Sequence, residues 1–87
     1  MLVGGELDIV TAALFETELR DATETTTGDL IVDLAGVSFM DSAGMNVLAR
    51  IFKTLDRDNR SLVLLHATGS VRTALELGGA SVFAQLR

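Results

Sequence analysis

Residues 30–45 read Leu30-Ile31-Val32-Asp33-Leu34-Ala35-Gly36-Val37-Ser38-Phe39-Met40-Asp41-Ser42-Ala43-Gly44-Met45, and the stretch passes from one periodicity into another. Leu30, Val32 and Leu34 alternate, with Asp29 and Asp33 among them, which is the period of a strand. Beyond the serine, Met45, Leu48, Ala49, Phe52 and Leu55 recur at helical spacing, while Asn46, Arg50, Lys53, Thr54 and Arg57 make the opposite stripe. The spacing predicts an amphipathic helix from about Ser42 to Asp56. No proline or long loop separates the two elements, so an acidic residue and a hydroxyl, Asp41-Ser42, form the junction. What that serine does is the main functional question the sequence poses.

Working outward, Leu62-Val63-Leu64-Leu65 is a continuous apolar run of the kind a strand buried on both faces carries. Thr11 can cap a helix that turns Leu14, Phe15, Leu19 and Ala22 to a core, and Thr25-Thr26-Thr27-Gly28 ends it in a loop. Ser70 can cap a short helix bearing Val71, Ala74 and Leu75, stopped by Gly78-Gly79. A first strand is expected near Leu2 to Leu7 and a last one at Val82-Phe83-Ala84. Strands and helices alternating at these lengths predict an α/β fold of βα units with right-handed crossovers and a mainly parallel central sheet, the helices packed on it. Val47 and Ile51 widen the apolar face of the second helix. Either that helix packs deeply on the sheet, or part of its face serves a partner.

The chain has 87 residues, enough for one domain, and at that size folding hides roughly 60–65% of the surface the unfolded chain exposes. Hydrophobic residues make up 48% and aromatics 5%, so the core must be built from aliphatic side chains and four Phe. A net charge of −5 disfavours nucleic acid and anionic membrane surfaces, which points to a protein partner. No run approaches the roughly 20 apolar residues of a bilayer span, and no signal peptide is legible, so the expected compartment is the cytoplasm. With no cysteine and one histidine, neither a metal site nor a cofactor is expected.

A serine that follows a strand and opens a helix can be an N-cap, a hydrolase nucleophile or a modification site. The nucleophile reading fails because a G-x-S-x-G elbow needs glycine two places either side, and Met40 stands in the earlier position. The single possible base, His66, ends a strand far along the chain. Gly4-Gly5 lacks the spacing of a dinucleotide fingerprint, and no phosphate-cradling loop is present. No catalytic residue is predicted, which leaves the cap and the modification site.

Three segments in order resemble one family: Gly5-Glu6-Leu7-Asp8 with a Thr-Ala helix start, Leu30-Ile31-Val32-Asp33-Leu34 followed by Gly36-Val37-Ser38-Phe39-Met40, and Asp41-Ser42-Ala43-Gly44-Met45. Together with Ser70-Val71-Arg72 and Leu77-Gly78-Gly79 they are similar to the STAS domain of bacterial anti-sigma factor antagonists, across nearly the whole of residues 1–87. The resemblance implies a regulatory module that binds an anti-sigma factor with a histidine-kinase-like serine kinase fold and so releases a sigma factor. The kinase phosphorylates the serine directly after the aspartate, and a serine phosphatase resets the switch. That serine is Ser42 here.

Four departures from the family pattern stand out. Ala43 replaces a second hydroxyl residue, Met45 replaces leucine and Asn46 replaces glycine. The strand that normally precedes the Gly-Glu-Leu-Asp segment has only Met1-Leu2-Val3-Gly4 to represent it, and the end at Arg87 is short of a final helix, so the expectation is a domain truncated at both ends. A sheet lacking an outer strand leaves an open edge through which copies can self-associate.

The expectation is therefore a STAS domain in which Ser42 is both helix cap and phosphoacceptor, and Asp41, Ala43, Gly44, Met45 and Asn46 form its recognition surface. Asp8 is a further neighbour, with a turn or cap residue as its other reading. The alternative function is a non-phosphorylated STAS scaffold, such as the accessory subunit of a lipid transporter or a part of a stress-signalling assembly.

Overall fold

A computed structural model describes residues 1–87. In chain order the elements are β1 (Leu2–Leu7), α1 (Ala12–Thr25), β2 (Leu30–Met40), α2 (Ser42–Arg57), β3 (Leu62–Leu65), α3 (Gly69–Leu77), a 3₁₀ turn (Ala80–Val82) and β4 (Gln85–Leu86). The four strands form one sheet in the order β1-β2-β3-β4, and every pairing is parallel. The sheet is thus wholly parallel where a mainly parallel one was predicted.

One core lies between the sheet and the helices. Leu30, Val32 and Leu34 of β2 and Leu62 and Leu64 of β3 meet Phe15 and Leu19 of α1, Val47, Leu48, Ile51 and Leu55 of α2, and Val71 and Leu75 of α3. Ile31 and Phe39, on the other face of β2, remain 45% and 44% exposed. Val47 and Ile51 are completely buried, so the widened face of α2 is spent on the sheet and offers nothing to a partner. Leu14, expected in the core, is 64% exposed, while Thr23 is buried, its hydroxyl donating to the Arg20 carbonyl at 2.7 Å.

β2 is longer than its alternating start suggests. Along β1 the register moves from Leu2↔Asp33 to Gly4↔Gly36, and from Gly5↔Val37 to Glu6↔Phe39, so β2 carries an extra residue at each of two bulges. Each extra residue flips the pleat, and the buried positions consequently run Leu30, Val32, Leu34, Val37 and Met40. β3 pairs with the first part of β2 and β1 with the rest, which brings the ends of β1 and β2 together at Leu7↔Met40.

The last strand is not at Val82-Phe83-Ala84. Ala80 and Ala84 are buried four residues apart while Val82 is 89% exposed, a spacing met by a turn, and the strand follows at Gln85–Leu86. The α3 stop is as read, with Gly79 in the left-handed region at φ 74°. Ser70, however, does not cap α3: that helix begins at Gly69 after Thr68, which makes no side-chain cap bond either.

Candidate functional site

β2 runs straight into a helix and β1 reaches one through the turn Asp8–Thr11, and at both strand ends an aspartate accepts nearby N–H groups. At β2, Asp41 has extended backbone and its Oδ1 accepts the Ala43 N–H at 2.8 Å and the Gly44 N–H at 3.4 Å. At β1, Asp8 Oδ1 accepts from the Val10 and Thr11 N–H groups at 2.9 and 3.1 Å. Thr11 Oγ1 accepts the Asp8 N–H at 3.1 Å, the reciprocal arrangement of a capping box. Its hydroxyl also donates to the Glu6 carbonyl at 2.7 Å. Asp8 is therefore the turn residue its second reading allowed, and Thr11 stands at the N-cap of α1 without a side-chain cap bond.

Asp41, not Ser42, is the N-cap of α2. Ser42 is the first helical residue, is exposed, and its hydroxyl makes no hydrogen bond to the protein. The reason is the backbone: only the residue before the helix, with non-helical φ and ψ, can fold its side chain back onto the second and third N–H groups. Ser42 is thereby left free of structural duty. The N–H groups that would have drawn a phosphate to this helix start already face the Asp41 carboxylate, so a group added to Ser42 would project outward beside that charge.

The residues around it divide by accessibility. Asn46 is exposed and Asp41, Ala43 and Met45 are half-buried. Gly44 is buried, and a Cβ there would stand 2.9 Å from the Leu7 carbonyl oxygen and 3.0 Å from the Leu7 Cβ. It offers no surface to a partner; instead it lets the first turn of α2 sit on the end of β1, where the Asp41 N–H also donates to the Leu7 carbonyl at 3.1 Å.

Sequence reading missed the exposed apolar residues Ile9, Val10 and Leu77, the last of which shares a cleft with Ser42. Ile9 and Val10, in the turn after β1, are 82% and 84% exposed, and Leu77 at the end of α3 is 84% exposed. The signal was available: two β-branched residues in a turn, and a leucine just before the Gly78-Gly79 stop, have no core to enter. Between α2 and α3 a cleft of about 280 Å³ is lined by Met40, Met45, Ala74, Leu77 and Gly78, with Asp41 and Ser42 on its border.

His66 is remote from this place. Its Nδ1 lies 3.1 Å from Asp33 Oδ1, and Asp33 precedes Met40 by seven residues, roughly 20 Å along the strand. The Ala35 N–H and then the His66 ring hold the Asp33 carboxyl below its ordinary range. No group of three His, Asp or Glu side chains converges anywhere, and no helix is long and apolar enough to cross a membrane.

A parallel sheet packed against its helices, with an exposed serine free of hydrogen bonds at the start of α2, defines an α/β domain of one family. The STAS domain family matches residues 2–86, and the chain belongs to it. An anti-sigma-B factor antagonist of Staphylococcus aureus is 32% identical over 77 residues, which span 88% of this chain and 71% of that protein. A solved anti-sigma factor antagonist of Mycobacterium paratuberculosis superposes with a TM-score of 0.86 at 26% identity, over 98% of this chain and 72% of that one. The anti-sigma factor antagonist SpoIIAA, solved in its unphosphorylated form, shares the fold, with a TM-score of 0.71 at 20% identity over 99% of this chain and 74% of that one. The chain thus stands, by family and by its 32% identical relative, among the anti-sigma factor antagonists.

Proposed function

We propose that this chain binds an anti-sigma factor that carries a histidine-kinase-like serine kinase fold, so that a sigma factor is released, and that phosphorylation of Ser42 ends the complex. A serine phosphatase restores the binding form. The observation that carries the reading is the state of Ser42: exposed, without a hydrogen-bonding task, and lining a cleft that it shares with Leu77. A kinase can reach such a hydroxyl, and a partner covering the flanking apolar surface must also cover it. Phosphate adds a charge of about −1.5 to −2, here beside Asp41, and burying that charge in a close-packed interface costs several kcal/mol. The names of the relatives agree with the partner class, and SpoIIAA has an unphosphorylated form distinguished as such. Incubation with the anti-sigma factor and ATP, followed by peptide mass spectrometry, tests the site. A single phosphate on the Asp41–Met45 segment, absent from Ser42→Ala, is expected; phosphate elsewhere, or none while the two proteins bind, contradicts it.

Self-association belongs to the same reading. β1 is an outer strand, and between it and α1 runs a groove of about 410 Å³ that Leu2, Val3, Leu14 and Phe15 help to line. Its outward N–H and C=O groups are free to pair with β1 of a second copy, antiparallel about a two-fold axis. The left-handed backbone at Gly5 (φ 82°) and the carboxylates of Glu6 and Glu18 oppose this, so the dimer is weak and strengthens with salt. Sedimentation over a concentration series at two ionic strengths checks it; a monomer throughout the series contradicts it.

A further inference from the structure

The outward stripe of α2 carries more positive charge than the fold uses. Arg50, Lys53 and Arg57 recur three and four residues apart on the side away from the core, and all three are exposed. Arg20 of α1 stands beside them, its Nη1 donating to Thr54 Oγ1 at 3.3 Å. The one carboxylate bonded there is Glu16, which accepts from Arg20 Nη2 at 2.7 Å and from Arg50 Nη2 at 2.8 Å and is held as an anion by both. Arg50 donates through Nε and Nη2, which leaves Nη1 free, and the four ion pairs of the molecule include neither Lys53 nor Arg57. Asp56 turns to the other flank of α2, where it lines a groove with Phe52 and Ser81. Four cations against one carboxylate give this side +3, which leaves −8 on the rest of a chain that totals −5. Arg57 can offset the dipole at the end of α2, but Lys53 has no such task, and like charges three and four residues apart work against a helix.

We propose that the stripe Arg50, Lys53 and Arg57, with Arg20 at its side, docks a short acidic segment of a protein partner. The site is separate from the Ser42 surface, since Arg50 follows Ser42 by eight residues, about 12 Å along the helix. Its length decides the occupant. From Arg50 to Arg57 is about 10 Å, which about three carboxylates of a strand or a helical turn can match. A nucleic-acid duplex held by roughly 6–10 phosphate contacts needs a far longer basic track, and the −8 around the stripe would repel the rest of it. An anionic membrane meets the same repulsion, and none of the exposed large apolar residues stands on α2 to enter a bilayer. Glu16 fits this use: by bonding Arg20 and Arg50 on their inner sides it fixes both guanidiniums at the rim of the stripe, so little side-chain freedom is lost on docking.

The test is titration of the ¹⁵N-labelled whole chain with a short synthetic peptide of consecutive glutamates, and with its glutamine counterpart. The glutamate peptide should move the amide signals of Arg20 and of Arg50 to Arg57, less at high salt, and the glutamine peptide should move none. Lys53→Glu combined with Arg57→Glu, at exposed positions, should keep the fold and weaken binding about tenfold. Arg72→Glu combined with Arg87→Glu gives the same net charge and should bind as the parent does. Lys53→Gln alone, a milder change, should weaken binding about threefold. Unmoved signals at the stripe, or equal losses in the two double variants, overturn the site. Tighter binding at these residues by a DNA oligomer or by anionic phospholipid vesicles than by the peptide overturns the assignment to an acidic protein segment. The same signals moving when the chain alone is concentrated would make the occupant a second copy and overturn it too.

Discussion

Removing the Asp41 carboxylate leaves the Ala43 and Gly44 amides without their acceptor, and Asp41→Ala should cost about 0.5–2 kcal/mol of stability. Ser42→Ala removes a hydroxyl with no partner and should stay within about 0.5 kcal/mol of the parent. Urea unfolding of the two variants checks the pair, and the reverse order would return the cap to Ser42. The distinction matters for regulation, because a cap that is modified would couple phosphorylation to unfolding, whereas a free first-turn serine can be modified with the fold unchanged. From sequence, Asp and Ser side by side at a helix start are equally good caps, and only the backbone angles at the junction choose between them. That Ser42 opens the helix was legible; that Asp41 and not Ser42 caps it was not.

At the scale of elements, α1 and α2 are locked by Glu16, which meets Arg20 at 2.7 Å and Arg50 at 2.8 Å. The Arg50 guanidinium first, and then that of Arg20, pull the Glu16 pKa from 4.5 down to about 2. A carboxylate with a depressed folded pKa stabilises the fold above its unfolded value and loses that contribution as pH falls through the folded one. Stability due to Glu16 should therefore be complete above about pH 4.5 and fade toward pH 2. Denaturation midpoints of the parent and Glu16→Gln should differ most at neutral pH and converge near pH 2; a gap unchanged by acid would contradict the assignment. The cross-helix half of this was not visible in the sequence, since Glu16 and Arg50 are 34 residues apart. The elements themselves were better marked. The α2 stripe and the Leu30–Leu34 alternation survive in the fold because burial enforces them. The rest of β2 was hidden because two bulges turn its period from two to three, which mimics a helix over Leu34, Val37 and Met40. The Val82–Ala84 strand was misplaced for a related reason: a short apolar run has no period of its own, and Ala80 and Ala84 bury as a turn.

For the whole molecule, the parallel sheet gathers the ends of β1 and β2, the start of α2 and the end of α3 at one place, and leaves His66 with Asp33 at a distance. The α/β architecture and the position of the serine could be read from order and spacing alone. The exposed apolar residues could not, because Ile9 and Val10 follow β1 whereas Leu77 ends α3, two segments far apart in sequence. The central claim is that the surface around Ser42 binds and that charge on Ser42 stops it. Titration calorimetry of the unmodified chain, Ser42→Ala, Ser42→Asp and the Ser42-phosphorylated chain against the anti-sigma factor tests it most directly, with circular dichroism confirming each fold. Ser42→Ala should bind like the parent, and Ser42→Asp about tenfold more weakly, a loss of about 1.4 kcal/mol. The phosphorylated chain, carrying about −1.5 to −2 where the aspartate carries one charge, should bind about 100-fold more weakly, a loss of about 2.7 kcal/mol. Equal affinity for the unmodified and phosphorylated chains would contradict the account.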